Sequence, residues 1–352
     1  MKLRILLVVV SLVLSLVIGF VVSKQNAGSA QASDKSDGIV IGLSMDTLKE
    51  ARWQKDRDFF VGKAKELGAK VLVQSANSDD TRQIKDVKSL LANNVDVLVV
   101  VPHDGAAMAE AVRLAKQADV PVIAYDRMIT KCDLDIYLSF DNVRIGEMQA
   151  QYLIDKLPNG KGSIVRMYGA PTDNNAKLFK QGQDNILNSH IKSGDIKVVH
   201  EDWATDWDPA NAKKIMNAAI TKGNKFDAVL ASNDGTAGGA IQALKEAKLA
   251  GKTIVTGQDA DIVACQRIAN GTQTMTIYKP IKQLACRAAE LAVDMAKGKP
   301  VVANGSVANG QKNVPSVLLE VTVVDKDNIK ETVIADGYHT SEEIFGKSEG
   351  NK

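Results

Sequence analysis

The stretch VDVLVVVPHD, Val95 to Asp104, decides how this chain folds. A strand with one wet face would alternate apolar and polar residues, but from Val97 to Val101 this run does not alternate at all. It reads as a strand buried on both faces, the kind found in a parallel sheet covered by helices. Pro102 stops it, and His103-Asp104 follow where its carboxyl end would lie. The same grammar extends in both directions. Upstream, IVIGLSMD (Ile39–Asp46) precedes ARWQKDRDFFVGKAKELG, in which Trp53, Phe60, Ala64 and Leu67 recur at helical spacing. KVLVQSAN then precedes the helical TRQIKDVKSLLANN. Downstream, AAMAEAVRLAKQA leads to PVIAYDRM and then to IYLSFDN. Such alternation implies right-handed crossovers and a parallel sheet between helices.

A second series follows. SIVRMYGAPTDN, IKVVHEDWATDW, FDAVLASND and KTIVTGQDAD each precede a helical stretch, and TQTMTIYKP closes the set. Roughly ten strands strain a single open sheet, so two α/β units of ordinary domain size are expected. The late helix IKQLACRAAELAVDMAKG and the late strand PSVLLEVTVVD are placed to cross back between them.

Composition narrows the function classes. A net charge of +2 offers no polyanion-binding surface, and 5% aromatic residues give no stacking platform for single-stranded nucleic acid, so no nucleic-acid partner is expected. Cys132, Cys265 and Cys286 lack a metal-like CxxC spacing, and His103, His190, His200 and His339 are scattered. No metal and no cofactor are expected. The cysteines read as buried or half-buried structural residues, although spacing alone leaves a Cys265–Cys286 disulfide open. No GxSxG elbow or HExxH motif occurs, and no carboxylate pair stands out by spacing, so catalysis is not expected.

The amino terminus carries Lys2 and Arg4 ahead of ILLVVVSLVLSLVIGFVV, Ile5 to Val22. Positive charge before an apolar run directs the rest of the chain out of the cytoplasm. The run is longer than a usual signal-peptide core and approaches a membrane span, while Ala30-Gln31-Ala32 offers a cleavage site. A cleaved signal and a retained anchor at residues 5–22 both fit. Residues 23–38, small and polar, read as a flexible tether.

In open α/β sheets ligands bind beyond the carboxyl ends of the strands. The residues after each apolar run are therefore site candidates: Asp46, Asn77, His103-Asp104, Asp126-Arg127 and Asp141-Asn142 in the first series. The second supplies Asp173-Asn174-Asn175, Trp203, Asn233-Asp234 and Asp259, with Lys279 after its last run. Each has a plainer reading: Asp126-Arg127 as a surface ion pair, Asn233 and Asp141 as helix caps, Trp203 and Trp207 as packing residues. Carboxylates, carboxamides and cations at one end of the strands suit a small polyhydroxylated ligand. The glycines of GTAGG (Gly235–Gly239) lack the GK[ST] of a P-loop and read as close helix packing.

The segments RWQKDRD, GAKVLVQSAN, VDVLVVVP, AYDRMI, SFDN, DNNAKLF, VLASND, TAGGAIQAL, GQDAD and GTQTMTIYKPI stand in this order between Ile39 and Phe345. On them the chain resembles the ribose/galactose-type sugar-binding proteins of the periplasm, and within these the receptors for D-xylose. The resemblance implies a periplasmic binding protein of type I: two Rossmann-like α/β lobes with parallel sheets, joined by a three-crossover hinge. The first lobe would comprise residues 39–141 and 279–316, the second 142–278 and 317–346, with 347–352 a disordered tail. It implies D-xylose contacts from Arg52, Asp126, Arg127, Asn175, Trp207, Asn233, Asp259 and Lys279, with Asp173 and Trp53, a second ring wall, beside them. Trp207 rather than Trp203 would stack on the sugar. The implied location is the periplasm or the outer face of the cytoplasmic membrane. The implied partner is the permease of an ABC importer, or a membrane sensor kinase if the anchor is retained.

Overall fold

A computed structural model describes residues 38–223 and 225–346. The expected export segment, its tether and the expected tail at 347–352 lie outside the described residues. The first βα series forms β1 (Val40–Met45), α1 (Ala51–Glu66), β2 (Lys70–Ser75), α2 (Asp80–Ala92), β3 (Val97–Val100), α3 (Ala109–Gln117), β4 (Val122–Tyr125) and β5 (Ile136–Phe140). The second begins with α4 (Asn142–Lys156), β6 (Gly162–Tyr168), α5 (Asn174–Ser193), β7 (Ile196–Trp203) and α6 (Pro209–Thr221). It continues through β8 (Ala228–Ala231), α7 (Asp234–Glu246), β9 (Ile254–Val255), α8 (Ile262–Ala269) and β10 (Met275–Tyr278). The chain then adds α9 (Ile281–Ala296), β11 (Gly305–Ala308), β12 (Asn313–Leu319), β13 (Thr322–Asp325) and the short α10 (Ser341–Phe345).

These elements build two main sheets. The first runs β11-β12-β5-β4-β3-β1-β2, parallel throughout except for β11, and the second runs β7-β6-β8-β9, all parallel. All four residues of β3 are fully buried, as its unbroken apolar run requires. One face of the first sheet packs Ile41, Leu43, Val97 and Val99 into a common core with Phe60 and Ala64 of α1 and Leu284 and Ala288 of α9. Beyond β9, β10 continues the second sheet. The Thr274 N–H donates to Val255 O at 2.9 Å, and the Ile277 N–H donates to Gly257 O at 3.2 Å. β13 then pairs antiparallel with β10.

The chain therefore passes between the sheets three times, after β5, after β10 and after β12. The last passage lies later than the 316/317 boundary expected from sequence, because β12 stays paired with β5 as far as Leu319↔Phe140. The KTIVTGQDAD stretch also forms less strand than its composition suggests. It leaves strand geometry after Val255, and Asp259 and Ala260 take φ values of 102° and 50°, outside the range a strand allows.

The glycine cluster reads as the sequence suggests. A Cβ on Gly239 would stand 2.1 Å from the Pro209 carbonyl oxygen and 2.9 Å from the Ala212 Cβ, so α6 and α7 touch backbone to backbone there. Gly239→Ala is expected to destabilise the protein by about 1–3 kcal/mol through overpacking. Gly238→Ala, whose added carbon meets only the Arg267 guanidinium at 3.2 Å, should cost less. Urea unfolding of both variants checks the difference.

Candidate functional site

Each candidate side chain is delivered by a strand's carboxyl end. Arg52 and Trp53 lie in the first turn of α1 after β1, Asp126 and Arg127 directly after β4, and Asp173 and Asn175 at the start of α5 after β6. Trp207 follows β7, Asn233 caps α7 after β8, Asp259 follows β9 and Lys279 follows β10. All ten line one cavity, together with Glu50, Phe179, Pro209, Gly235, Gln258 and Asp261. Its empty volume, which includes open solvent at the mouth, is about 590 Å³.

Asp126 and Arg127 are only 2% and 6% exposed, which removes the surface ion-pair reading. They also serve different partners. Asp126 Oδ2 accepts a very short bond from the Arg52 guanidinium, and its Oδ1 accepts from Asn175 Nδ2 at 3.2 Å. Arg127 reaches Asp46 Oδ2 at 2.7 Å on one side and Asp173 Oδ2 at 2.9 Å on the other. Arg52 extends from Asp56 at 3.2 Å to Asp259 at 3.3 Å, and Lys279, 1% exposed, sits 2.8 Å from Asp259. Groups following the first sheet thus meet groups following the second: Arg127 with Asp173, Arg52 with Asp259, Asn175 with Asp126.

The two tryptophans of the lining are held as firmly. Trp207 Nε1 donates to Asp173 Oδ2 at 3.1 Å, and its ring meets Phe179 edge-on at 6.3 Å. A Cβ on Gly169 would fall 2.0 Å from this ring, so glycine is what lets the indole lie against the end of β6. Trp53 lies under two guanidinium groups, with Arg52 4.1 Å and Arg127 5.1 Å from its ring centroid. Trp203 is elsewhere, tilted against Tyr168 at 4.8 Å and absent from the lining.

Other sequence candidates play supporting parts. Asp46 holds Arg127 and also pairs with His103 Nδ1 at 3.0 Å. Asp141 caps α4 through the Arg144 N–H, and Asn142 donates to Asn175 Oδ1 at 3.0 Å. Asn233 is both cap and lining residue: its Oδ1 accepts from the Thr236 N–H at 2.9 Å while the residue faces the cavity. Cys265 and Cys286 are free thiols, as is Cys132, so the disulfide left open by spacing does not form. Among the described residues no cluster of His, Cys, Asp or Glu is arranged to hold a metal ion.

Sequence reasoning missed Glu50, Gln258 and Asp261. Glu50 and Asp261 stand just before α1 and α8, where acidic residues pass for helix caps, yet neither side chain caps its helix. The signal for Gln258 was its place in GQDAD, directly before Asp259.

Burial and pairing split the carboxyl groups. Burial alone would raise Asp126, but Arg52 and Lys279 hold it down at about 2. Asp46 is likewise lowered, with His103 and Arg127 outweighing burial. Asp173 is raised, because burial outweighs Arg127. Asp56 is pushed up to about 6 by burial despite Arg52, and its Oδ1 accepts a very short bond from the Tyr125 hydroxyl.

Comparison with known proteins meets this geometry. Residues 41–300 match the family model of the periplasmic binding protein domain. The chain belongs to that family. It is 51% identical over 315 residues to the D-xylose-binding periplasmic protein of Haemophilus influenzae, covering 89% of this chain and 94% of that one. It is also 51% identical over 307 residues to the protein of the same name from Escherichia coli, covering 87% and 92%. Among solved structures, a carbohydrate transporter solute-binding protein from Chloroflexus aurantiacus in complex with D-glucose matches with a TM-score of 0.81 and 31% identity, covering 86% and 97%. The fold is that of the type I periplasmic binding proteins, with two lobes of parallel sheet joined by three crossovers.

Asp261 yields a pH test. Burial first, and then the charge of Asp259, push its carboxyl up to about 6 from an ordinary value of 3.8. A carboxyl raised on folding contributes stability that is fully present below its unfolded pKa and lost as pH rises through the folded one. Relative to Asp261→Asn, the unliganded wild type should therefore lose melting temperature between about pH 4 and pH 7, and the two should converge below pH 4. Thermal denaturation across that range checks the crossover.

Proposed function

We propose that this protein is an extracytoplasmic receptor for D-xylose that closes over the sugar and delivers it to an ABC-type importer. The observation that carries the reading is the convergence, on one cavity, of all ten residues expected to hold a sugar, with donors and acceptors supplied from both lobes. The names of the relatives from Haemophilus and Escherichia point to the same ligand. Their sequence likeness also argues for a binding protein rather than an enzyme.

In this reading the pentose lies between Trp207 and Trp53, with its C–H faces against the rings and its hydroxyls toward charged partners. Arg127, Lys279 and Asn233 donate; Asp126 and Asp259 accept. Because these groups belong to both lobes, the sugar binds the closed form better than the open one and shifts the population toward it. The permease then distinguishes a loaded receptor by its closed shape. Titration calorimetry is the direct test: D-xylose should bind tightly, and failure to bind it while another sugar binds tightly would overturn the ligand.

A second output, signalling through a membrane kinase, draws on the length of the apolar run Ile5–Val22. The mass of the amino terminus in cells separates the two. A mature start near Ser33 removes the anchored sensor, and a retained start followed by co-purification of a kinase supports it.

Single changes test the site. Arg127→Ala and Asp259→Ala should each weaken xylose binding well over tenfold, since each removes a charged partner from a buried network. Trp207→Ala should also weaken it, and Trp203→Ala, outside the cavity, should do less. Near-native affinity in the first three variants would show that the site is misplaced.

A further inference from the structure

Two buried side-chain oxygens among the residues lining the cavity have no hydrogen-bond partner, Glu50 Oε2 and Gln258 Oε1, and the second has a defined geometry. Gln258 is 3% exposed and lines the cavity, and its side-chain Oε1 is buried without a hydrogen-bond partner. Its orientation follows from its neighbour: Nε2 lies 3.3 Å from Asp259 Oδ1, and a carboxylate held between Arg52 and Lys279 can only accept. The amide nitrogen therefore faces Asp259, which leaves the oxygen as the free end. The backbone is fixed as well, since the Gln258 carbonyl accepts from the Asp234 N–H at 2.9 Å. A buried acceptor without a donor is unfavourable, and the bond to Asp259 holds the amide in the orientation that leaves it so.

We infer that Gln258 reads one hydroxyl of the bound sugar, its Oε1 accepting that hydroxyl's proton, and so adds a specificity-determining contact beyond the charged set. The inference rests on the sugar-receptor reading. It assigns a division of labour within that site. Asp259 takes three donors on one oxygen and anchors Arg52, Lys279 and the Gln258 amide. Gln258 carries the acceptor that those donors leave unserved. A ligand lacking a hydroxyl at that position would leave Oε1 desolvated and unpaired, so the residue discriminates between polyols of the same size by hydroxyl position.

Calorimetric titration of wild type and Gln258→Met with D-xylose and its monodeoxy analogues tests this as a double-mutant cycle. The expected result is a loss of about tenfold for D-xylose in the variant. For one deoxy analogue, by contrast, wild type and variant should bind equally, because the contact is already gone. An equal penalty of the substitution on every analogue would overturn the inference, as would no penalty on D-xylose. If wild type itself binds no pentose, the receptor reading fails first. The same cycle on whichever sugar does bind then tests Gln258 separately.

Discussion

Arg52 is the interaction on which the rest of the site depends. One buried guanidinium ties together Asp56 of its own helix, Asp126 after β4 and Asp259 after β9. Burying a cation is costly unless its donors are matched, and here three carboxylates match them. The consequence is geometric: α1, the end of β4 and the turn after β9 cannot be moved independently without stranding charge. Arg127 repeats the device between Asp46 and Asp173. Two arginines thus couple the lobes, and Trp53 lies against both of them.

The backbone carries a matching constraint. Asp126, Trp207 and Asp259 all adopt positive φ, at 61°, 56° and 102°. Side chains rarely tolerate this region, and such conformations persist when surrounding contacts over-determine them. Here the contacts are visible: Asp126 O accepts from the Ser139 hydroxyl and Asn175 Nδ2, and Ala260 O, next to Asp259, meets His339 Nε2 at 2.7 Å. The strands end where the chain turns its cavity-lining side chains inward, and β9 is only two residues long.

Much of this was legible in the sequence, for a definite reason. Strands buried on both faces leave unbroken apolar runs, and such runs show where each carboxyl end lies. Polar residues collected at those ends, such as Asp126, Asn233 and Asp259, line one cavity. Gln258 was not legible, because an amide beside an aspartate looks like turn chemistry until its unpaired oxygen is seen. Glu50 and Asp261 were hidden by their resemblance to helix caps. The partners of Asp126 and Arg127 were equally hidden, since adjacency in sequence suggested that they would pair with one another.

The sequence alone determined the layered architecture and the end of the sheets at which the cavity lies, since periodicity and run length are local properties of the chain. Only the tertiary structure decided which charges neutralise which. Arg52 finds Asp259 across 207 positions of chain, and Asn175 finds Asp126 across 49. Pairings at such separations follow from the packing of two lobes against each other, and no local pattern encodes them.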